Sequence, residues 1–287
     1  MGAYHARVLA HRWGVPAVQL SPTYVAWEGY EQDMAEALAP VRALDGYDEY
    51  TARFADWLAR DGITLSVDEF VGRPPRCLAL IPRALQPNAD RVDATRYTFV
   101  GATVDAGRDE AAWEGPADGS RVLLISLGSA FTEQPAFYRA CLEAFGGLDG
   151  WHVVLSIGRY VEPAELGELP ANVELHRFVP QLAVLAQAGA FVTHAGMGSA
   201  KEALAAGVPM IALPQAVDQF PNAARLVELG VARQLATAEA TPQDLRAALQ
   251  ELTDDPQVRA RAAQLRGEIA REGGAARAAD LIEAEVS

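Results

Sequence analysis

The stretch from His194 to Gln219 gathers residue types that handle a charged, hydroxyl-rich ligand. His194 closes an apolar run, and Gly196, Gly198 and Ser199 follow it. Glycines at that point let backbone N–H groups come close to a ligand, and a helix starting there turns its positive end on the same spot. His194 is placed to donate to an anionic oxygen beside those amides. Glu202, one turn into the helix, is an acceptor suited to paired ribose hydroxyls, and Asp218 and Gln219 offer partners for sugar hydroxyls. Upstream, Pro180 biases Val179 toward extended backbone. That lets Phe178 present a ring face to a pyrimidine base while Val179 and Gln181 meet its polar edge. Ser129, at the end of an apolar strand, is a further candidate near phosphate or sugar, because open parallel sheets bind ligands at their carboxyl ends. Arg159 is a weaker one, since most loop arginines are simply solvated. Each residue also has a plain reading. A histidine after a strand is usually structural, Phe178 alone is more often core, a helix glutamate is usually solvated, and Asp218 is able to serve only as a helix cap. The ordered set of phosphate, ribose and sugar partners is what describes a nucleotide-sugar site.

The elements that must position these residues alternate. A strand over 190–193, a helix from about 199 to 206 stopped by Gly207, and a buried strand over 210–213 form one unit. Around it the spacing predicts strands at 121–127, 153–157 and 173–176 and helices at 135–145, 218–229, 241–252, 256–272 and 275–285, with Gly273-Gly274 as a break. Earlier, a helix over 4–13 feeds a strand over 15–20, helices are expected at 28–44 and 48–60, and strands at 77–81 and 97–100. Tyr50, Phe54, Trp57 and Leu58 recur at helical spacing, which suits core packing. The alternative is that Tyr24, Trp27, Tyr30 and part of that stripe line an apolar pocket. Residues 105–120 carry Gly, Asp, Glu, Ala and Pro without periodicity and read as a linker. The expected division is 1–104 as a partial domain, 105–120 as the linker, and 121–287 as a second domain ending in a helix that crosses back. Strand–helix alternation with short loops means an α/β fold built on parallel sheet.

Composition narrows the function. With 24 Lys and Arg against 38 Asp and Glu the net charge is −14, which argues against nucleic-acid binding. An anionic ligand must then be held by local amides and dipoles. Cys77 and Cys141 lie far apart, make no metal spacing and read as buried free thiols. No metal is expected, and no cofactor beyond the nucleotide-sugar itself as co-substrate. No apolar run reaches 18 residues, and Arg7, His11 and Arg12 interrupt the amino-terminal stretch, which points to a cytoplasmic protein without a membrane span.

His194-x-Gly196-x-x-Ser199-x-x-Glu202, then Pro214-x-x-x-Asp218-Gln219, preceded by Phe178-Val179-Pro180-Gln181, resembles the nucleotide-sugar signature of family 1 glycosyltransferases, above all the bacterial macrolide enzymes. The resemblance runs from Tyr4 to Glu285 and implies a GT-B-like fold of two Rossmann-like, doubly wound domains, the first incomplete by roughly a hundred residues. It implies inverting transfer of a hexose, glucose by preference, from a uridine diphosphate sugar to a hydroxyl of a hydrophobic natural product such as a macrolide. The Phe178 position supports the uracil in that family, where Trp is common in plant members. The family's general base is a His, oriented by an Asp, and the resemblance places both upstream of Met1; His5 and His11 do not match it. The chain is thus expected to be a truncated enzyme. The alternatives are a non-catalytic UDP-sugar-binding fragment or partner subunit that needs a second polypeptide, and a degenerate, inactive relative; a dimer or a complementing amino-terminal segment is the expected partner beside the donor and acceptor.

Overall fold

A computed structural model describes residues 3–104, 112–237 and 240–286. The chain divides into two compact units, Met1–Thr103 with Gly273–Ser287, and Val104–Glu272. The final helix, assigned from sequence to the second domain, therefore belongs to the first. Of the expected linker, residues 105–111 lie outside the described residues. The described remainder is fastened to the second unit, where Gln187 Nε2 donates to the Trp113 carbonyl at 3.1 Å and Trp113 Nε1 donates to Glu174 at 3.3 Å.

The first unit holds a three-stranded parallel sheet, β1 (Gln19–Ser21), β2 (Cys77–Ala79) and β3 (Tyr97–Phe99), in the order β1-β2-β3. Helix Tyr4–Trp13 ends at Gly14, which adopts the left-handed φ of +64° that closes a helix well only in glycine. The expected helix at 28–44 is two, Tyr30–Asp33 and Ala35–Arg42, joined at Met34. The aromatic stripe on helix Tyr47–Arg60 splits: Phe54 and Leu58 join Val8, Ile63 and Phe70 in a core, with Tyr4 and Trp57 packed against it, while Tyr50 is exposed. Trp27 is buried and donates through Nε1 to Asp33 at 2.7 Å. The Cys77 thiol is fully buried, and burial pushes it up to about 11, so it is an inert core group.

Helix Gly274–Val286 closes this unit by placing Ala278, Leu281 and Ile282 on Leu78 and Val100. Gly274 N–H donates to the Val100 carbonyl at 2.7 Å, and Arg76 pairs with Glu285 at 2.8 Å.

The second unit is a six-stranded, all-parallel sheet of β4 (Arg121–Ser126), β5 (Trp151–Ser156), β6 (Val173–His176), β7 (Ala188–Thr193), β8 (Met210–Ala212) and β9 (Ala232–Gln234). Their order is β6-β5-β4-β7-β8-β9. Residues 122–126 of β4 are buried throughout, as expected of a central strand covered by helices on both faces. The order reverses between β4 and β7. That makes their carboxyl ends the topological switch point, where doubly wound sheets open a crevice. β9 was absent from the expected strands. Ala232-Arg233-Gln234 has no apolar run, because an edge strand paired only to β8 needs none.

Ala278 is 8% exposed and faces Leu78 and Val100, so a carboxylate there would be buried without a partner. Ala278→Asp is expected to lower stability by about 2–4 kcal/mol, read as a lower urea midpoint.

Candidate active site at the switch point

The two strands flanking the switch point each end in a glycine-containing turn, and the turns meet on one side chain. After β4, Gly128 takes φ +79°, and a Cβ there would lie 2.7 Å from Cε1 of His194. After β7, a Cβ on Gly196 would likewise run into the His194 ring at Nε2. The imidazole is therefore held against bare backbone on both sides. Its Nδ1 is buried and has no hydrogen-bond partner within the described structure. Burial holds the imidazole below the usual histidine value, and the Asp218 carboxylate opposes that displacement. At neutral pH the ring is uncharged and able to donate one N–H.

Between His194 and Gly196, Ala195 adopts φ +60°, a left-handed conformation that costs a non-glycine residue roughly 1–2 kcal/mol. The turn makes Gly196 the cap of helix Met197–Ala206, which has no side chain satisfying its first amides. Those donors face outward beside His194, the arrangement that suits a phosphate. The helix begins two residues earlier than the spacing predicts, which places Gly198 and Ser199 in its first turn; Gly198 is exposed and Ser199 half-buried.

Other expected residues join the same end of the sheet through direct bonds. Gln181, the first residue of helix Gln181–Leu185, donates through Nε2 to Glu202 at 2.6 Å and to Ser199 at 3.4 Å. Phe178, three residues before it, is 54% exposed, so its ring is free for stacking and is not a core group. Val179 is half-buried, and Ser129 is exposed next to Gly128. Arg159 is exposed, with its guanidinium 6.0 Å from the Tyr160 ring centroid.

Asp218 and Gln219 differ from each other. Asp218 is exposed, whereas Gln219 is 6% exposed and accepts through Oε1 from the Gln215 and Ala216 N–H groups at 2.8 and 3.2 Å. Gln219 thus shapes its own loop through the very atom that would accept from a sugar hydroxyl. The loop is tight: Val217 is 86% exposed and takes φ +42°, an unfavourable region for a β-branched residue. Three contributors were not foreseen. The Gly128 contact joins positions far apart in sequence, Ala195 gives no sign in its type, and Asn222 had only its four-residue spacing from Asp218 to mark it.

Residues 139–284 match the family described as erythromycin biosynthesis protein CIII-like, C-terminal domain. The chain is 59% identical to oleandomycin glycosyltransferase of Streptomyces antibioticus over 99% of its own length and 66% of that protein's. It is 35% identical to an NDP-glycosyltransferase of Bacillus licheniformis, covering 98% of this chain and 70% of the relative. The chain belongs to the family 1 glycosyltransferases. Its fold is that of the GT-B enzymes: a crystal structure of the glycotransferase of kitacinnamycin superposes with a TM-score of 0.91 at 48% identity, over 99% of this chain and 74% of the other. The chain spans about two thirds of the length of these curated relatives. Among the described residues of this glycosyltransferase, no helix is long and apolar enough to cross a membrane.

The depressed His194 value has a measurable consequence without any nucleotide. Between that value and the usual 6.5, the unfolded chain binds the proton and the folded chain does not, so stability rises with pH across this window and falls as pH drops through it. Thermal midpoints from pH 5 to 7.5 are expected to climb more steeply for the parent chain than for His194→Gln.

Proposed function

We propose that this glycosyltransferase binds a uridine diphosphate hexose at the carboxyl ends of β4 and β7. It transfers the hexosyl group, with inversion, to a hydroxyl of a hydrophobic, macrolide-like natural product. The carrying observation is the buried, unpartnered Nδ1 of an imidazole wedged at Gly128 and Gly196 beside an uncapped helix start. In the reaction the acceptor oxygen attacks the anomeric carbon while the bond from that carbon to the β-phosphate oxygen breaks. The electron pair leaves with the diphosphate, and the acceptor proton passes to a general base. Open helix amides and His194 supply the stabilisation of the departing charge, with no metal required of them. The base is a His–Asp pair by family resemblance.

The remaining assignments follow from reach and chemistry. Phe178 offers its exposed face to the base, with Val179 and Gln181 at the base's edge. Glu202, oriented by Gln181, accepts from ribose hydroxyls. Ser129, Gly198 and Ser199 lie toward the phosphates, and Asp218 takes sugar hydroxyls, with Gln219 holding its loop. Uridine and glucose are the favoured donor parts, and dTDP and deoxyhexose donors are the competitors to test. A complementing amino-terminal segment is the proposed source of the base.

Calorimetric titration with UDP tests this reading. One-site binding is expected, weakened about tenfold or more in His194→Ala, where a charge-assisted bond is lost, and in Gly128→Ala, where the ring is displaced. A folded parent chain that ignores both UDP and dTDP would overturn the donor site. Release of UDP from UDP-glucose that accelerates with a macrolide acceptor supports transfer; binding without such release marks a carrier of the nucleotide-sugar.

A further inference from the structure

Asn222 is fully buried on helix Gln219–Glu228, yet its amide does no ordinary core work. Nδ2 donates to the Ala195 carbonyl at 3.0 Å and to Oδ2 of Asp218 at 3.2 Å. Both neighbours are acceptors only, which fixes the orientation of the amide: its two N–H bonds are divided between two loops. One loop is the strained turn that carries His194 and Gly196, and the other is the turn that ends at Asp218. Oδ1 is buried with no partner in the described structure, so the amide accepts a desolvation penalty to hold both donor bonds. Asp218 also reaches the imidazole electrostatically.

We propose that Asn222 is the positioning residue that couples the phosphate end of the donor site to its sugar end. It pins the Ala195 carbonyl in the left-handed turn, which keeps the imidazole and the open helix amides in register. With the same nitrogen it holds the Asp218 carboxylate aimed at sugar hydroxyls and away from the imidazole. This rests on the donor-site reading above and deepens it. No atom of Asn222 is assigned a contact with the donor.

The tests use UDP and UDP-glucose as probes on the intact chain, at temperatures well below unfolding. Asn222→Ala is expected to weaken UDP about tenfold, the scale of one lost positioning bond to a strained turn. In a His194→Ala background the same change should cost less than about threefold, because the group being positioned is gone. The gain in affinity from UDP to UDP-glucose, expected to vanish in Asp218→Ala, should vanish in Asn222→Ala as well. Asn222→Asp keeps the volume but replaces the donor by a carboxylate facing two acceptors. Its UDP affinity, relative to the parent, should be poor at pH 8 and recover as protonation restores one O–H donor toward pH 6. This variant decides the matter if Asn222→Ala does not fold. Parent-like binding by Asn222→Ala, an undiminished cost in the His194→Ala background, or no recovery of Asn222→Asp at low pH would each overturn the proposal. Failure of the parent chain to bind UDP removes the donor-site reading itself, and the positioning role with it.

Discussion

The second unit depends on the close approach of two backbone turns to one imidazole. β4 and β7 are neighbours in a parallel sheet, but their connections run to opposite sides, so a crevice opens between the turns that leave them. A side chain at either glycine would close it. Gly128 adopts a backbone conformation that glycine alone holds without penalty, and a methyl group there meets the His194 ring. The ring in turn occupies the space that a Gly196 side chain would need. Sheet order, glycine placement and histidine placement are thus one constraint seen at three levels.

Around that contact the polar groups are arranged by second partners. Gln181 sets the Glu202 carboxylate, Gln219 sets the backbone of its own loop, and Asn222 ties the His194 turn to Asp218. Side-chain amides suit this task because each carries donor and acceptor without charge, so a second partner is gained without the cost of desolvating an ion. The strain at Ala195 and Val217 is confined to the two turns these amides hold. Local backbone strain persists where surrounding bonds over-determine it, and it gathers in the turns that present functional groups.

Much of this was legible in the sequence. The order of strands and helices followed from apolar spacing, and helix Tyr4–Trp13 and strand Val173–His176 appear with the limits expected of them. The candidate residues at 178–202 lie on one end of one sheet because motif spacing reflects the strand–turn–helix geometry directly. What escaped has physical reasons. β9 is an edge strand whose pairing is all backbone. The break at Met34 has no glycine or proline to announce it, and the Asp33 carboxylate beside it accepts from Trp27 and Arg91, partners that no local pattern reveals. Helix Val67–Gly72 is six residues long, too short to show a helical period, although the Ser66–Glu69 capping box marks its start. The Gly128 and Asn222 contacts are tertiary, and no local pattern encodes them.

The return of the last helix to the first unit orders events during synthesis. Leu78 and Val100 are covered by residues 278–282, and Arg76 waits for Glu285, 209 positions further on. The second unit, by contrast, is continuous in sequence and has all its strands by Gln234. Every strand of the second unit is made before the helix that covers the first unit's sheet, so the first unit cannot close until the second is nearly translated. The apolar face at Leu78 then stays open for as long as that translation takes, until residues 278–282 are made.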